Sequence, residues 1–255
     1  MESPDDQRSA GTGADEWKYR PSAGLDQSLL QRLGGFPREP EPLVYALRSA
    51  SGLLLRTWLR SYHRLQILGR ENLPGEGSFV LVANHSSHLD ALCLVSAFSL
   101  ARLHRVFPAA AADYFFSNMA RTAFSAVFIN ALPFHREVHG EQSLTVCTAL
   151  LENPGNVLII FPEGTRSITG EIDRFRSGIG RLLLGTSIPA VPCRLEGASA
   201  AWPKGRKIPR PKKVQVIIGR PRSYETMPAT RESVREICRD LEEAVRLLAT
   251  GRDPR

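Results

Sequence analysis

An α/β domain with a mostly parallel sheet, covered by helices on both faces and preceded by an amphipathic helical element, is the fold class this sequence predicts. Three observations lead there. From residue 65 onward short β-rich runs alternate with helical stretches, the pattern of strand–helix–strand units. Two of those runs, FVLVA at 79–83 and VLIIF at 157–161, are apolar throughout, as strands buried on both faces are. A chain of 255 residues suits one such domain with an appendage, since single cores run to roughly 200–250 residues.

Residues 1–24 are rich in Ser, Pro, Asp and Gly and cannot bury enough apolar surface to offset their ordering entropy, so a disordered tail is expected there. The pair Gly11 and Gly13 echoes a nucleotide loop, but no strand precedes it. Residues 25–64 form the expected amphipathic membrane-docking element. Between Pro42 and Leu65 the residues Leu43, Leu47, Leu54, Trp58, Tyr62 and Leu65 recur at helical spacing, with Arg56, Arg60 and Arg64 as a basic row beside them. Such a helix either lies in a lipid interface, arginines toward phosphates and rings at the acyl boundary, or packs its apolar side on the main domain.

Residues 65–250 make the main domain. Strands are expected at 65–68, 79–83, 106–110, 127–133, 157–161, 190–195 and 214–218. Helices are expected at about 88–100, 113–125, 139–152, 178–186 and 230–249. In sheets of this kind sites gather at the carboxyl ends of strands.

Hydrophobic residues make up 42% and charged ones 23% of the chain, which excludes disorder outside local segments. Lys and Arg outnumber Asp and Glu by 33 to 26, a formal charge of +7, so an anionic partner is favoured: nucleic acid, an anionic membrane or a phosphorylated substrate. Cys93, Cys147, Cys193 and Cys238 lie far apart and read as buried thiols of a reducing compartment. No apolar run reaches the roughly 18 residues of a spanning helix, and no signal-peptide h-region follows Asp5, Asp6 and Arg8. The expected location is cytoplasmic, peripheral on the inner face of the membrane.

The segment NHSSHLD at 84–90 follows FVLVA and precedes the helical run ALCLVSAF. His85 then sits in a strand-to-helix turn and Asp90 in the first helical turn. Five positions on one straight helix diverge by roughly 140°, so the two side chains meet only if His85 precedes the helix; Ser86 and Ser87 are plausible N-caps for that bend. A histidine bonded through one ring nitrogen to a carboxylate has a fixed tautomer, and its other nitrogen becomes a better base. Equally, Ser87 and Asp90 could form a capping box with His85 an ordinary turn residue.

In VLIIFPEGTRS the apolar run ends abruptly at Pro162, Glu163 and Gly164. This marks a turn at a strand's carboxyl edge, where Glu163, Thr165 and Arg166 would be exposed to a ligand. Arg166 offers multi-donor recognition of phosphate, and Gly164 lets the backbone approach closely. A solvent-exposed loop is the plainer reading.

Together these segments resemble the glycerolipid (lysophospholipid) acyltransferase family. NHSSHLD matches that family's N-H-x-S-x-x-D block and FPEGTRS at 161–167 matches its F-P-E-G-T-R-S block. ALPFHR ends in Arg136 where the family carries a phosphate-contacting arginine, and IPAVPCRLEG places Val191 and Pro192 at its apolar fourth block. DYFF at 113–116 departs from the lysine-led segment of many members. The resemblance spans about residues 65–220. It implies direct transfer without an acyl-enzyme: His85, supported by Asp90, deprotonates an acceptor hydroxyl that attacks the thioester of acyl-CoA or acyl-carrier protein. Arg136, Glu163, Gly164, Thr165 and Arg166 would position a phosphorylated acceptor, most simply 1-acylglycerol-3-phosphate, with another lyso-lipid or an amino-acid lipid as the alternative. No cofactor and no metal are implied; the partners would be a membrane surface, the acyl donor and a lysophospholipid, with no nucleic acid.

Rival chemistries find less in the chain. No G-x-S-x-G elbow or S-x-x-K pair is present. A metal at His85, His88 and Asp90 would have no second cluster to complete it. His88 reads as a helix-start residue. The run WPKGRKIPRPKK carries six basic residues between Lys204 and Lys213 and suggests a nucleic-acid module, yet it lacks interleaved aromatics. It reads as a solvated basic loop or as a contact for membrane, CoA or carrier-protein phosphates. A silent, lipid-binding family member is a third alternative.

Overall fold

The fold is described from a computed structural model, in which residues 42–111, 130, 132–134 and 140–250 are placed. The expected tail, the helix at 113–125, the DYFF segment and Arg136 lie outside the described residues. Cys93, Cys147, Cys193 and Cys238 are all buried free thiols.

The chain enters through α1 (Pro42–Tyr62) and β1 (Gln66–Leu68), followed by β2 (Phe79–Ala83), α2 (Leu89–Val95), β3 (Val106–Ala111) and β4 (Leu132–Phe134). It continues through α3 (Gly140–Glu152), β5 (Val157–Ile160), α4 (Ser177–Leu183), β6 (Ala190–Glu196), the one-turn α5 (Ala198–Ala201), β7 (Gln215–Ile218) and α6 (Arg231–Leu247). Among the described residues seven strands form one sheet in the order β1-β7-β6-β2-β5-β3-β4, and every pairing there is parallel except β6 with β7.

The order explains where a site belongs. After β2 the chain adds β3, β4 and β5 on one side and then β6 and β7 on the other, so β2 is the point where the winding reverses. Ligands in such sheets bind outside the carboxyl ends of the strands at that point. The register sets Val82 beside Ile160 of β5, which brings the two segments that follow, NHSSHLD and FPEGTRS, out at the same edge.

All five residues of β2 are buried, and alternation sends them to opposite layers. Phe79, Leu81 and Ala83 join Leu59 of α1 and Leu89 and Leu94 of α2 on one face. Val80 and Val82 meet Leu150 of α3, Ile179 and Leu183 of α4, and Ile237 and Leu241 of α6 on the other. Helices therefore cover both faces, as the sequence predicts. Each fully buried aliphatic side chain contributes about 1.5–3 kcal/mol. Thr230 accepts a hydrogen bond from the Ser233 N–H at 3.1 Å and starts α6.

Three elements differ from the sequence expectation. The helix expected over 88–100 stops at Val95, and the carbonyls of Ala97 and Phe98 accept from the side chains of Arg70 and Arg56 instead of from further helix turns. Of the strand expected over 127–133, the described residues are Asn130, Leu132 and Pro133: Leu132 and Pro133 lie in β4, whereas Asn130 is held at φ 55°, with its amide donating to the carbonyls of His104 and Val106 at 3.0 and 3.1 Å, and a left-handed residue breaks an extended run.

On α1, finally, the buried positions are Val44, Arg48, Gly52 and Leu59, so the stripe Leu43, Leu47 and Leu54 points outward, at 65%, 45% and 72% exposure. Gly52 makes the packing face possible, because a Cβ there would stand 2.4 Å from Leu103 Cδ1. Arg64 does not extend the arginine row: it lies beyond the helix end at φ 48°.

Candidate active site

The turn after β2 is built around one carboxylate oxygen. Asp90 is fully buried, and its Oδ2 accepts from His85 Nδ1 at 2.9 Å, from the Ser86 N–H at 2.6 Å and from the Ser87 N–H at 2.7 Å. Its Oδ1 is buried without a partner. The same carboxylate thus binds the histidine ring and the backbone N–H groups of Ser86 and Ser87, which precede the His88 N-cap of α2, and it makes one half of a capping box with Ser87. Ser87 Oγ completes the helix start by accepting from the Leu89 N–H at 3.1 Å.

Binding through Nδ1 fixes the ring so that Nε2 is the nitrogen able to take a proton. The imidazole stacks on Phe161 with centroids 4.1 Å apart, and its side chain keeps 20% exposure, enough for a substrate to reach it. Asn84 anchors the turn to β6, donating to the Leu195 carbonyl at 3.1 Å and accepting from the Leu195 N–H at 2.8 Å.

The turn after β5 grips the histidine from the other side. Ser167 N–H donates to the His85 carbonyl at 2.8 Å. Glu163 was expected to face a ligand; instead it is buried at 3% exposure, its Oε1 accepting from the His85 N–H at 2.6 Å and its Oε2 from the Asp173 N–H at 3.0 Å. The cause is the β2–β5 register, which places Glu163 directly beneath a backbone N–H that would otherwise lack a partner. Burial pushes its carboxyl up to about 7, partly offset by those two N–H donors.

Gly164 adopts φ +73°, and a Cβ there would lie 2.7 Å from Arg176 Nε, so both backbone conformation and space call for glycine. Thr165 is exposed and Arg166 half-buried, with the Arg166 guanidinium against His88 Nε2. Burial, then Arg166 and His85, hold the His88 pKa below its ordinary value.

The family described as Acyltransferase matches residues 64–196, just over half of the chain and both turns. The chain belongs to the acyltransferase family. It is 29% identical over 161 residues to a 1-acyl-sn-glycerol-3-phosphate acyltransferase of Chlamydomonas reinhardtii, covering 62% of this chain and 46% of that one. A protein of the same name from Bacillus subtilis is 27% identical over 187 residues, covering 70% and 88%. The chain therefore spans less than half of the algal relative and most of the bacterial one. The crystal structure of the 1-acyl-sn-glycerophosphate acyltransferase of Thermotoga maritima superposes with a TM-score of 0.61 at 24% identity, covering 84% of this chain and 81% of that one, which establishes a shared fold.

Within this family frame, the structure also places groups near the dyad that no local sequence pattern marks. Ser87 Oγ donates to the Trp202 carbonyl at 2.7 Å, Ser87 bridges Pro203, and the His88 and Trp202 rings lie 5.3 Å apart. The basic loop that follows is consequently a fixed neighbour of the site. Trp202 Nε1 donates to the Arg206 carbonyl at 2.7 Å and Tyr62 Oη to the Pro209 carbonyl at 3.2 Å. A groove of mixed polarity beside the turn is lined by Ser86, Ser167, Ile168, Ser199, Pro203 and Lys204, among others.

Proposed function

We propose that the chain transfers a fatty acyl group from acyl-CoA or acyl-carrier protein to the free hydroxyl of a lysophospholipid, with 1-acylglycerol-3-phosphate as acceptor and phosphatidic acid as product. The 2.9 Å bond between His85 Nδ1 and Asp90 Oδ2 carries the reading. It prepares Nε2 to accept the hydroxyl proton as the oxygen attacks the thioester carbon. When the tetrahedral intermediate collapses, the carbon–sulfur bond breaks and Nε2 returns the proton to the leaving sulfur. No residue is acylated.

Arg166, half-buried beside the dyad at the mouth of the β5 turn, supplies charge for the acceptor phosphate, and Thr165 and the bare backbone of Gly164 border the same opening. Glu163 has no part in that contact, since both its oxygens are spent on backbone N–H groups. The names of the algal and bacterial relatives support the choice of acceptor.

The same reading has the protein meet the cytoplasmic membrane face peripherally. Among the described residues no helix is long and apolar enough to cross a membrane, while α1 offers Leu43, Leu47 and Leu54 to its surroundings, the arrangement of an interfacial helix. The test is thiol release from acyl-CoA and from acyl-carrier protein against a panel of lyso-lipids with and without a phosphomonoester. Arg166→Ala should raise KM about tenfold or more for phosphorylated acceptors alone, the scale of a lost charge-assisted hydrogen bond. An equal change for unphosphorylated acceptors would remove the phosphate contact from the proposal.

A further inference from the structure

Away from the dyad, three arginines converge with no carboxylate among them. Arg56 and Arg60 stand one turn apart on α1, and Arg70 comes from the 3-10 turn after β1; with Leu65, Ile67 and Ser96 they line a cavity of about 140 Å³. Ser96 follows the last residue of α2, whose first turn carries Asp90. At 1.5 Å per residue the cavity lies roughly 10 Å along that helix from the dyad, at its opposite end.

Part of the cluster serves the fold. Arg56 Nη2 donates to the Phe98 carbonyl and Arg70 Nη2 to the Ala97 carbonyl, which satisfies oxygens beyond the end of α2. This uses one donor of the five that each guanidinium carries. Arg56 Nε is buried with no acceptor, and Arg60 is exposed. None of the ion pairs among the described residues involves any of the three. Burial and then the charges of Arg70 and Arg60 lower the Arg56 pKa, the sign of like charges gathered without compensation. Helix capping accounts for two donors. It does not account for a third arginine, or for a buried N–H aimed at nothing.

We propose that this cavity is a binding site for a phosphate group, with Arg56, Arg60 and Arg70 as its donors. Planar guanidinium forks match phosphate oxygens with paired hydrogen bonds, and several converging on one centre suit a multiply charged anion better than a single carboxylate. Leu65 and Ile67 complete the lining, and Arg60 and Arg70 face solvent at its mouth. Leu53, Arg56 and Arg60 share one stripe of α1 by their i, i+3, i+7 spacing, and Leu53 is 56% exposed, so the cavity opens beside an apolar foothold. The phosphate belongs either to an anionic lipid headgroup or to the free ion.

The site is separable from catalysis, and the experiment keeps it so. The full chain carrying Arg166→Ala, which removes the phosphate contact proposed beside the dyad, is titrated calorimetrically with inorganic phosphate in chloride buffer of constant ionic strength. Saturable binding is expected, with affinity falling at least tenfold when Arg60→Ala is added and partly recovering with Arg60→Lys. Unchanged melting of the Arg60→Ala protein without phosphate serves as the folding control, since Arg60 is solvent-facing.

Cosedimentation with phosphatidylcholine vesicles, with and without phosphatidic acid, distinguishes the sources. A lipid site loses its phosphatidic-acid-dependent binding in Arg60→Ala, whereas a site for the free ion keeps vesicle binding and loses only the calorimetric signal. No saturable phosphate binding, or equal affinity with and without Arg60, overturns the proposal.

Discussion

The turns that follow β2 and β5 each bury a carboxylate, but the two carboxylates hold different things. Asp90 gathers three N–H donors on one oxygen, and one of them belongs to an imidazole. Glu163 spends one oxygen on each of two backbone N–H groups from different parts of the chain. The first orients a ring that can exchange protons; the second sets the position of the backbone that carries the ring. An acidic residue in a motif is therefore not a ligand by default. What it does is decided by what its donors are attached to.

Altering each carboxylate separates the two roles by the kinetic quantity that moves. Asp90→Asn keeps the shape but sets an amide against the ring and two N–H groups, so kcat should fall by roughly 10²–10⁴, the usual worth of a positioned general base. Acceptor KM should stay nearly constant in steady-state assays of thiol release. A loss confined to KM would place Asp90 with the substrate instead.

Glu163→Ala should act less steeply and on two readouts. Two buried N–H groups lose their partner, at about 1–3 kcal/mol each, and the freed His85 backbone should lower kcat by up to about 10²-fold, as misplacement by about 1 Å does. A melting curve together with a kinetic run checks both. A large rise in acceptor KM with unchanged kcat would return Glu163 to the ligand-binding role that its sequence suggests.

The smallest effect is a pH dependence. In the folded protein Glu163 titrates near 7, above its ordinary 4.5, so between those values the folded state keeps a proton that the unfolded chain has released. Stability should therefore decline as pH rises from about 4.5 to about 7, by up to about 3 kcal/mol from this group, and level off above. Denaturant unfolding of Glu163→Gln should show that part of the slope flattened, whatever its baseline stability. An identical slope in both proteins would mean that the carboxyl is already ionised throughout this range.

The contrast also shows what a sequence can carry. The His85–Asp90 contact was legible because both residues lie within one turn, where spacing and helix geometry decide whether they meet. The strands were legible for a similar reason: FVLVA and VLIIF are buried on both faces, and local composition registers that. Glu163 was misread because its burial depends on Val82 lying beside Ile160, a pairing of distant segments that no local pattern encodes. The seat of Trp202 and Pro203 against Ser87 depends in the same way on β6 lying beside β2. On α1 the apolar stripe was visible, but its outward direction followed from Gly52, where a missing side chain makes room for Leu103. The arginine row was half visible: Arg56 and Arg60 were in place, and the partner the fold supplied was Arg70 rather than Arg64.

The decisive step of the proposed direct transfer is movement of the acceptor's proton to His85 Nε2. It is tested most directly by acceptor-dependent thiol release from acyl-CoA, comparing wild type with His85→Ala under single-turnover conditions, with circular dichroism confirming the fold. Wild type should release thiol only when acceptor is present, with no burst in its absence, and His85→Ala should be slower by roughly 10²–10⁴. A stoichiometric burst without acceptor, or undiminished release by a folded His85→Ala protein, would contradict the account.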